Sequence, residues 1–131
     1  MRCGVFSAAV FVSMSPVRAA EKVEVDADSG MNVIYTFAST YQGTCDSADP
    51  PTYSIKKDAA HGRIVTDIVK TTFPADNKRC AGKPVQVFVV GYQPERGYRG
   101  KDEAVVSMRF TPYTNESIIR SRSLHFKITV K

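Results

Sequence analysis

Apolar and polar residues alternate with a period of two in seven short stretches, and Gly, Pro, Asn and Asp separate those stretches. Successive side chains on a strand point to opposite faces, so this alternation predicts strands rather than helices. The predicted strands are Val23–Ala27, Asn32–Phe37, Thr52–Lys57, Arg63–Val69, Val85–Tyr92, Ala104–Phe110 and Leu124–Val130. In the last, Leu124, Phe126, Ile128 and Val130 share one face, and His125, Lys127 and Thr129 share the other. Ala104, Val106, Met108 and Phe110 alternate in the same way with Val105, Ser107 and Arg109. One apolar and one polar face is the pattern of a half-buried antiparallel strand. Val85–Val90 is apolar on both faces apart from Gln86, which predicts a central strand covered on both sides. No window beyond residue 20 carries sustained helical spacing. Seven short strands with turn signals between them predict an all-β, two-sheet antiparallel sandwich over residues 21–131.

The first twenty residues follow a different rule. Met1-Arg2 is a short basic start, Val5–Val12 is an apolar run, Pro16 breaks it, and Val17-Arg18-Ala19 supplies the small or short residues of a cleavage site. That layout predicts a secretory signal peptide over residues 1–20. The run is too short for a spanning helix, which needs about 20 apolar residues. Export would remove Arg2 and Arg18, leaving 16 basic against 13 acidic residues, a net charge of +3. So mild a surplus argues against a nucleic-acid partner.

Cys3 leaves with such a leader, and Cys45 and Cys80 remain. An even count in an oxidising compartment predicts a disulfide between them. Neither cysteine has CxxC spacing or a neighbouring ligand set for a metal. The longest connections are Ala38–Pro51, Thr71–Pro84 and Thr111–Ser123, and the bond would tie the first two together.

The most distinctive segment runs from Tyr92 to Asp102, Tyr-Gln-Pro-Glu-Arg-Gly-Tyr-Arg-Gly-Lys-Asp. Pro94 fixes the backbone early in the connection, and Gly97 and Gly100 permit left-handed conformations. Tyr92 and Tyr98 are placed over one sheet edge, and Asp102 is placed to accept backbone hydrogens in a turn. Upstream, His61-Gly62-Arg63-Ile64 reads as a tight turn that launches a strand. Together, His61-Gly62-Arg63-Ile64 and Tyr92, Pro94, Gly97, Tyr98, Gly100 and Asp102 resemble the repeat unit of bacterial Ig-like and cadherin-like surface domains. The resemblance covers roughly residues 60–110 and implies an Ig-like β-sandwich. Ala104 stands where that unit has an aromatic residue, and tandem copies are absent from the sequence. The calcium-dependent function of such repeats is therefore not carried over, and no cofactor is expected.

Catalytic signatures are sparse. His61 sits in the turn three residues after Asp58, and His125 alternates outward on the last strand. There is no nucleophile elbow and no HExxH. Asp26, Asp28 and Asn32 lack the glycine and the distal glutamate of a calcium loop. The sequence thus points to a protein that is not an enzyme. Basic residues gather in three connections: Lys78, Arg79 and Lys83; Arg96, Arg99 and Lys101; Arg120 and Arg122. Arg and Tyr are enriched at contact centres, so Arg96, Tyr98, Arg99, Lys101, Tyr113 and Arg120 are the candidate partner-binding residues, provided the loops share one end. The expected role is a non-catalytic binding or structural module of the periplasm or cell surface. Its partner would be a protein or glycan of the cell envelope, and it would carry no membrane-spanning segment once the leader is cut. The alternative is a secreted inhibitor of a lysozyme or protease, using Cys45–Pro51 or Arg96–Lys101 as a wedge.

Overall fold

The computed structural model describes residues 20–111 and 119–131, so residues 1–19, Tyr113 and most of the connection before the last strand lie outside the described residues. Seven strands follow one another: β1 Glu21–Ala27, β2 Asn32–Phe37, β3 Thr52–Lys57, β4 Gly62–Thr72, β5 Pro84–Pro94, β6 Gly100–Phe110 and β7 Arg120–Val130. They form a four-stranded sheet in the order β1-β7-β6-β3 and a three-stranded sheet in the order β2-β5-β4. The all-β sandwich expected from the alternation is what the chain adopts.

Six of the seven strands bury apolar residues in one shared core, whereas β3 is exposed along its length. Phe88, Val90 and Tyr92 of β5 meet Ala104, Val106 and Met108 of β6 and Leu124, Phe126 and Ile128 of β7 there. Aromatic contacts stitch the layers: Tyr35 stands edge-on to Phe126 at 6.0 Å, Phe37 lies 4.8 Å from Phe110, and Tyr53 lies 5.5 Å from Phe88. Such pairs add about 0.5–1.5 kcal/mol each beyond the area they bury.

Three expectations need correction. The sandwich is not wholly antiparallel, because β1 pairs parallel to β7. Residues 28–31 carry the chain from the first sheet to the second, so β1 cannot form a hairpin with β2 and takes the free edge beside β7 instead. β5 is central as expected, but its second face is only half covered, since Val87 and Val89 are half-buried on the outside. Several strands also outrun their alternation: Lys70, Thr71 and Thr72 continue the ladder opposite Gln86, Val85 and Pro84. Backbone pairing persists there after burial has stopped selecting side chains.

The long loops are held rather than loose. Cys45 and Cys80 form a disulfide with their Cα atoms 5.5 Å apart, joining the β2–β3 connection to the β4–β5 connection. Arg79 reinforces the link by donating to the carbonyl of Gly43 at 2.8 Å, and Ser47 Oγ accepts the backbone N–H of Gln86 at 2.9 Å.

Candidate functional site

Strand alternation turns a row of charged side chains to the outside of the four-stranded sheet. β6 contributes Lys101 and Glu103, β7 contributes His125, Lys127 and Thr129, and β1 contributes Lys22, Glu24 and Asp26. The ladders then set Glu103 opposite Lys127, Lys101 opposite Thr129, and Glu24 on the far side of Lys127. From the other edge, an irregularity between Ile55 and Lys57 shifts the β3 register and brings Lys57 opposite Val105. Its ammonium group reaches across to Glu103 Oε1.

Glu103 is consequently a hub. Lys57 bonds one carboxylate oxygen, while Lys127 Nζ at 3.0 Å and His125 Nε2 at 3.1 Å bond the other. The lysine and histidine partners, Lys57 foremost, pull its carboxyl down to about 2. Beside it Lys101 Nζ donates to Thr129 Oγ1 at 2.8 Å, and at the sheet edge Asp26 pairs with Lys131 at 3.0 Å. These groups and the Ala60-His61 turn surround an open depression of about 850 Å³. Its lining carries four lysines, Lys22, Lys57, Lys101 and Lys127, against four carboxylates, Glu24, Asp26, Asp102 and Glu103. The surface is therefore densely charged yet balanced.

One wall of the depression rests on the His61 turn and the start of β6 at Asp102. Asp102 points the opposite way from Glu103 and is buried. Its carboxylate accepts the Tyr92 hydroxyl at 2.7 Å, the backbone N–H groups of Ala60 and His61 at 3.0 Å each, and that of Glu103 at 2.9 Å. Burial alone would raise its pKa, but these four donors outweigh burial and hold the carboxyl below its usual range. The same pairing, with burial as the larger cause, pushes the Tyr92 hydroxyl far above the ordinary tyrosine value. Tyr92 thus lies in the core, not over the sheet edge as expected. Tyr98 does lie outside, stacked on His61 with ring centroids 4.1 Å apart and planes 8° from parallel. The turn Glu95–Tyr98 closes through Tyr98 N–H to the Glu95 carbonyl at 3.0 Å, with Gly97 at φ 81° in the position that demands a left-handed residue.

Of the residues singled out from sequence, Lys101 lines the depression and Tyr98 backs the His61 side of it, while Arg96 and Arg99 are exposed on the adjoining turn. Arg120 opens β7 opposite Phe110, at the other end of the sandwich together with the connection that carries Lys78, Arg79 and Lys83. The basic loops therefore do not share one end. Tyr113 lies outside the described residues. Lys57, Glu103 and Lys127 were not singled out. The outward parity of Glu103 and Lys127 follows from alternation, but Lys57 has the parity of Tyr53 and Ile55 and is turned outward only by the β3 irregularity, which the sequence does not reveal. Asp28 and Asn32 close the turn after β1, where Asn32 accepts from Asp28 N–H at 3.1 Å and donates to the carbonyls of Asp28 and Gly30, while Asp26 stays on β1 and pairs with Lys131. Among the described residues no group of three or more His, Cys, Asp or Glu is placed to hold a metal ion, and no helix is long and apolar enough to cross a membrane.

What fold and site define together is a disulfide-braced β-sandwich with one charged, open face. Comparison with family models, curated proteins and solved structures returns no match.

Proposed function

We propose that the chain is an exported, non-catalytic binding module with an Ig-like sandwich, and that it reads a polar component of the cell envelope through the depression on its four-stranded sheet. The observation that carries this reading is the convergence of Lys57, Lys127 and His125 on Glu103, which fixes a set of charged groups in an open recess. Preorganised polar groups lose little entropy on binding. A carboxylate held near 2 stays ionised at neutral pH and is a poor general acid or base there. Balanced charge and the flat His61–Tyr98 wall suit a sugar polymer better than a polyanion. The Ig-like assignment draws support from strand order: β2-β5-β4 and β7-β6-β3 follow the B-E-D and G-F-C orders of that fold, with the first strand moved beside the last. The disulfide supports an oxidising, exported location.

Isotope-labelled oxidised protein titrated with soluble envelope glycans tests the reading. Shifts confined to Lys57, Lys101, Glu103, Lys127 and their neighbours, and lost in Glu103→Lys, support it. Shifts elsewhere, or none across the glycans, overturn it. A second reading, inhibition of a lysozyme or protease, rests on the β2–β3 loop being braced by Cys45–Cys80 and Arg79. A hydrolase panel assayed with the same material separates the two.

A further inference from the structure

The four sheet edges are guarded unequally. β1 is short and bears Lys22, Glu24 and Asp26, and β2 and β3 are six residues each with a register irregularity. Short, charged or bulged edges resist pairing with another chain. β4 is neither short nor bulged, and its charges are the scattered Arg63, Asp67 and Lys70. It runs eleven residues in unbroken register with β5, contains no proline, and seven of its residues are β-branched. Among the described residues no strand pairs on its far side. Ile68 N–H is taken by the carboxylate of its neighbour Asp67 at 2.8 Å rather than by β5. Ladder alternation then places the outward backbone groups on Ile64, Thr66, Ile68 and Lys70.

We propose that this edge pairs antiparallel with the β4 edge of a second copy, in the register that sets Val65 opposite Val65. Charge complementarity selects both the occupant and the register. In a two-fold pairing about an axis perpendicular to the sheet, facing residues lie on the same side of it, so only registers centred on a residue are available. Centring on Val65 places Arg63 opposite Asp67 on the outer face, twice by symmetry. Centring on Asp67 opposes two carboxylates, which destabilises a cross-strand pair. Centring on Thr66 or Ile68 leaves Asp67 opposite valine. The Val65 register also makes Ile64–Thr66 and Gly62–Ile68 the hydrogen-bonded pairs, in keeping with the outward groups named above. Ile68 N–H then exchanges the Asp67 carboxylate for the Gly62 carbonyl of the second copy, which frees that carboxylate for Arg63. The result is a continuous six-stranded sheet. The same axis leaves both charged depressions on one side of the dimer, although the pairing does not depend on what they bind.

Sedimentation of the oxidised protein over a concentration series reads the association directly. A monomer–dimer equilibrium is expected. Asp67→Arg is expected to weaken it by about tenfold or more, because two favourable cross-strand pairs become two repulsive ones. The double exchange Arg63→Asp with Asp67→Arg is expected to restore it. Far-ultraviolet spectra check that each variant is folded. Val65→Cys supplies a second readout: mild oxidation is expected to yield a disulfide-linked dimer through position 65, whereas Val69→Cys, which this register removes from the axis, is not. A protein that stays monomeric up to its solubility limit overturns the proposal. So does a dimer indifferent to Asp67→Arg, which would point to another surface or partner face.

Discussion

Tyr92 and Asp102 face each other across the two sheets, and the hydroxyl of one donates to the carboxylate of the other at 2.7 Å. Tyr92 is on the central strand of the three-stranded sheet and Asp102 near the start of β6 in the four-stranded sheet. Asp102 also holds the Ala60-His61 turn through two backbone bonds, so one carboxylate joins both layers to the β3–β4 connection. Tyr92→Phe deletes one of four donors to a buried charge. A loss of about 1.5–3 kcal/mol is expected, seen as a lower midpoint in chemical denaturation with an unchanged slope. A variant as stable as the parent would show that the pair does not bind the layers together.

Residues 102 and 103 are neighbours with opposite fates. Asp102→Ala removes the acceptor for four donors in the interior and should cost about 3–5 kcal/mol. Glu103→Ala dissolves two lysine ion pairs and a histidine hydrogen bond on the surface, where solvent screens such contacts, so a much smaller loss than for Asp102→Ala is expected. Denaturation of the two variants side by side checks the contrast. Comparable losses would mean that the surface hub, not the buried carboxylate, organises this end of the sandwich.

Acid should reveal the same difference. Both carboxyls are held below their ordinary values in the folded state. A group with a depressed folded pKa contributes stability that is full above its unfolded pKa, about 4, and is lost as pH falls through the folded value. Thermal midpoints should therefore be flat near neutrality and fall below about pH 4. Asp102→Asn cannot ionise, so its midpoint starts lower at neutral pH but falls less steeply on acidification. Parallel curves for parent and variant would assign the acid sensitivity to other groups.

How much of this was legible in advance depends on which physical rule wrote it. Alternation in Leu124–Val130 and Ala104–Phe110 reports burial directly, and those faces lie where the pattern put them. The parallel place of β1 was not legible, because its short alternating run is compatible with either neighbour direction. Tyr92 was misplaced for a related reason. A tyrosine next to a turn looks like an edge residue unless its hydroxyl is known to meet Asp102, ten positions on. The Glu103 hub needs two registers at once, β6 with β7 and β6 with β3, and Lys57 lies 46 positions away in the chain. Local pattern carries parity but not register, so the charged face was visible as separate lysines and never as a site.

Gly62 is fixed by contact, not by backbone conformation. A Cβ built there would lie 2.6 Å from the Gln93 carbonyl oxygen and 2.7 Å from the Tyr92 ring. Neither neighbour yields easily, since one belongs to the β4–β5 ladder and the other is wholly buried. Gly62→Ala should therefore destabilise by about 1–3 kcal/mol, the usual cost of overpacking, despite alanine's smaller loss of backbone entropy. Ala at this site with parental stability would mean that the turn can move away from Tyr92.

The Cys45–Cys80 bond closes a loop of 34 intervening residues, whose restriction in the unfolded chain is worth about 4 kcal/mol. Native strain lowers that figure in practice, so it is a ceiling. The bond joins two loops at the end of the sandwich away from Asp102, and few other contacts reach across there: Arg79 to Gly43 and Ser47 to Gln86. Reduction should therefore loosen these loops first, while the ladder of β4 with β5 persists. Hydrogen exchange of the Cys45→Ser, Cys80→Ser double variant checks this order. Faster exchange is expected in residues 38–51 and 73–83, with the β5 amides changed only by the global loss of stability. Uniform acceleration throughout both sheets would mean that the disulfide stabilises the whole sandwich through the unfolded state alone, without any local brace.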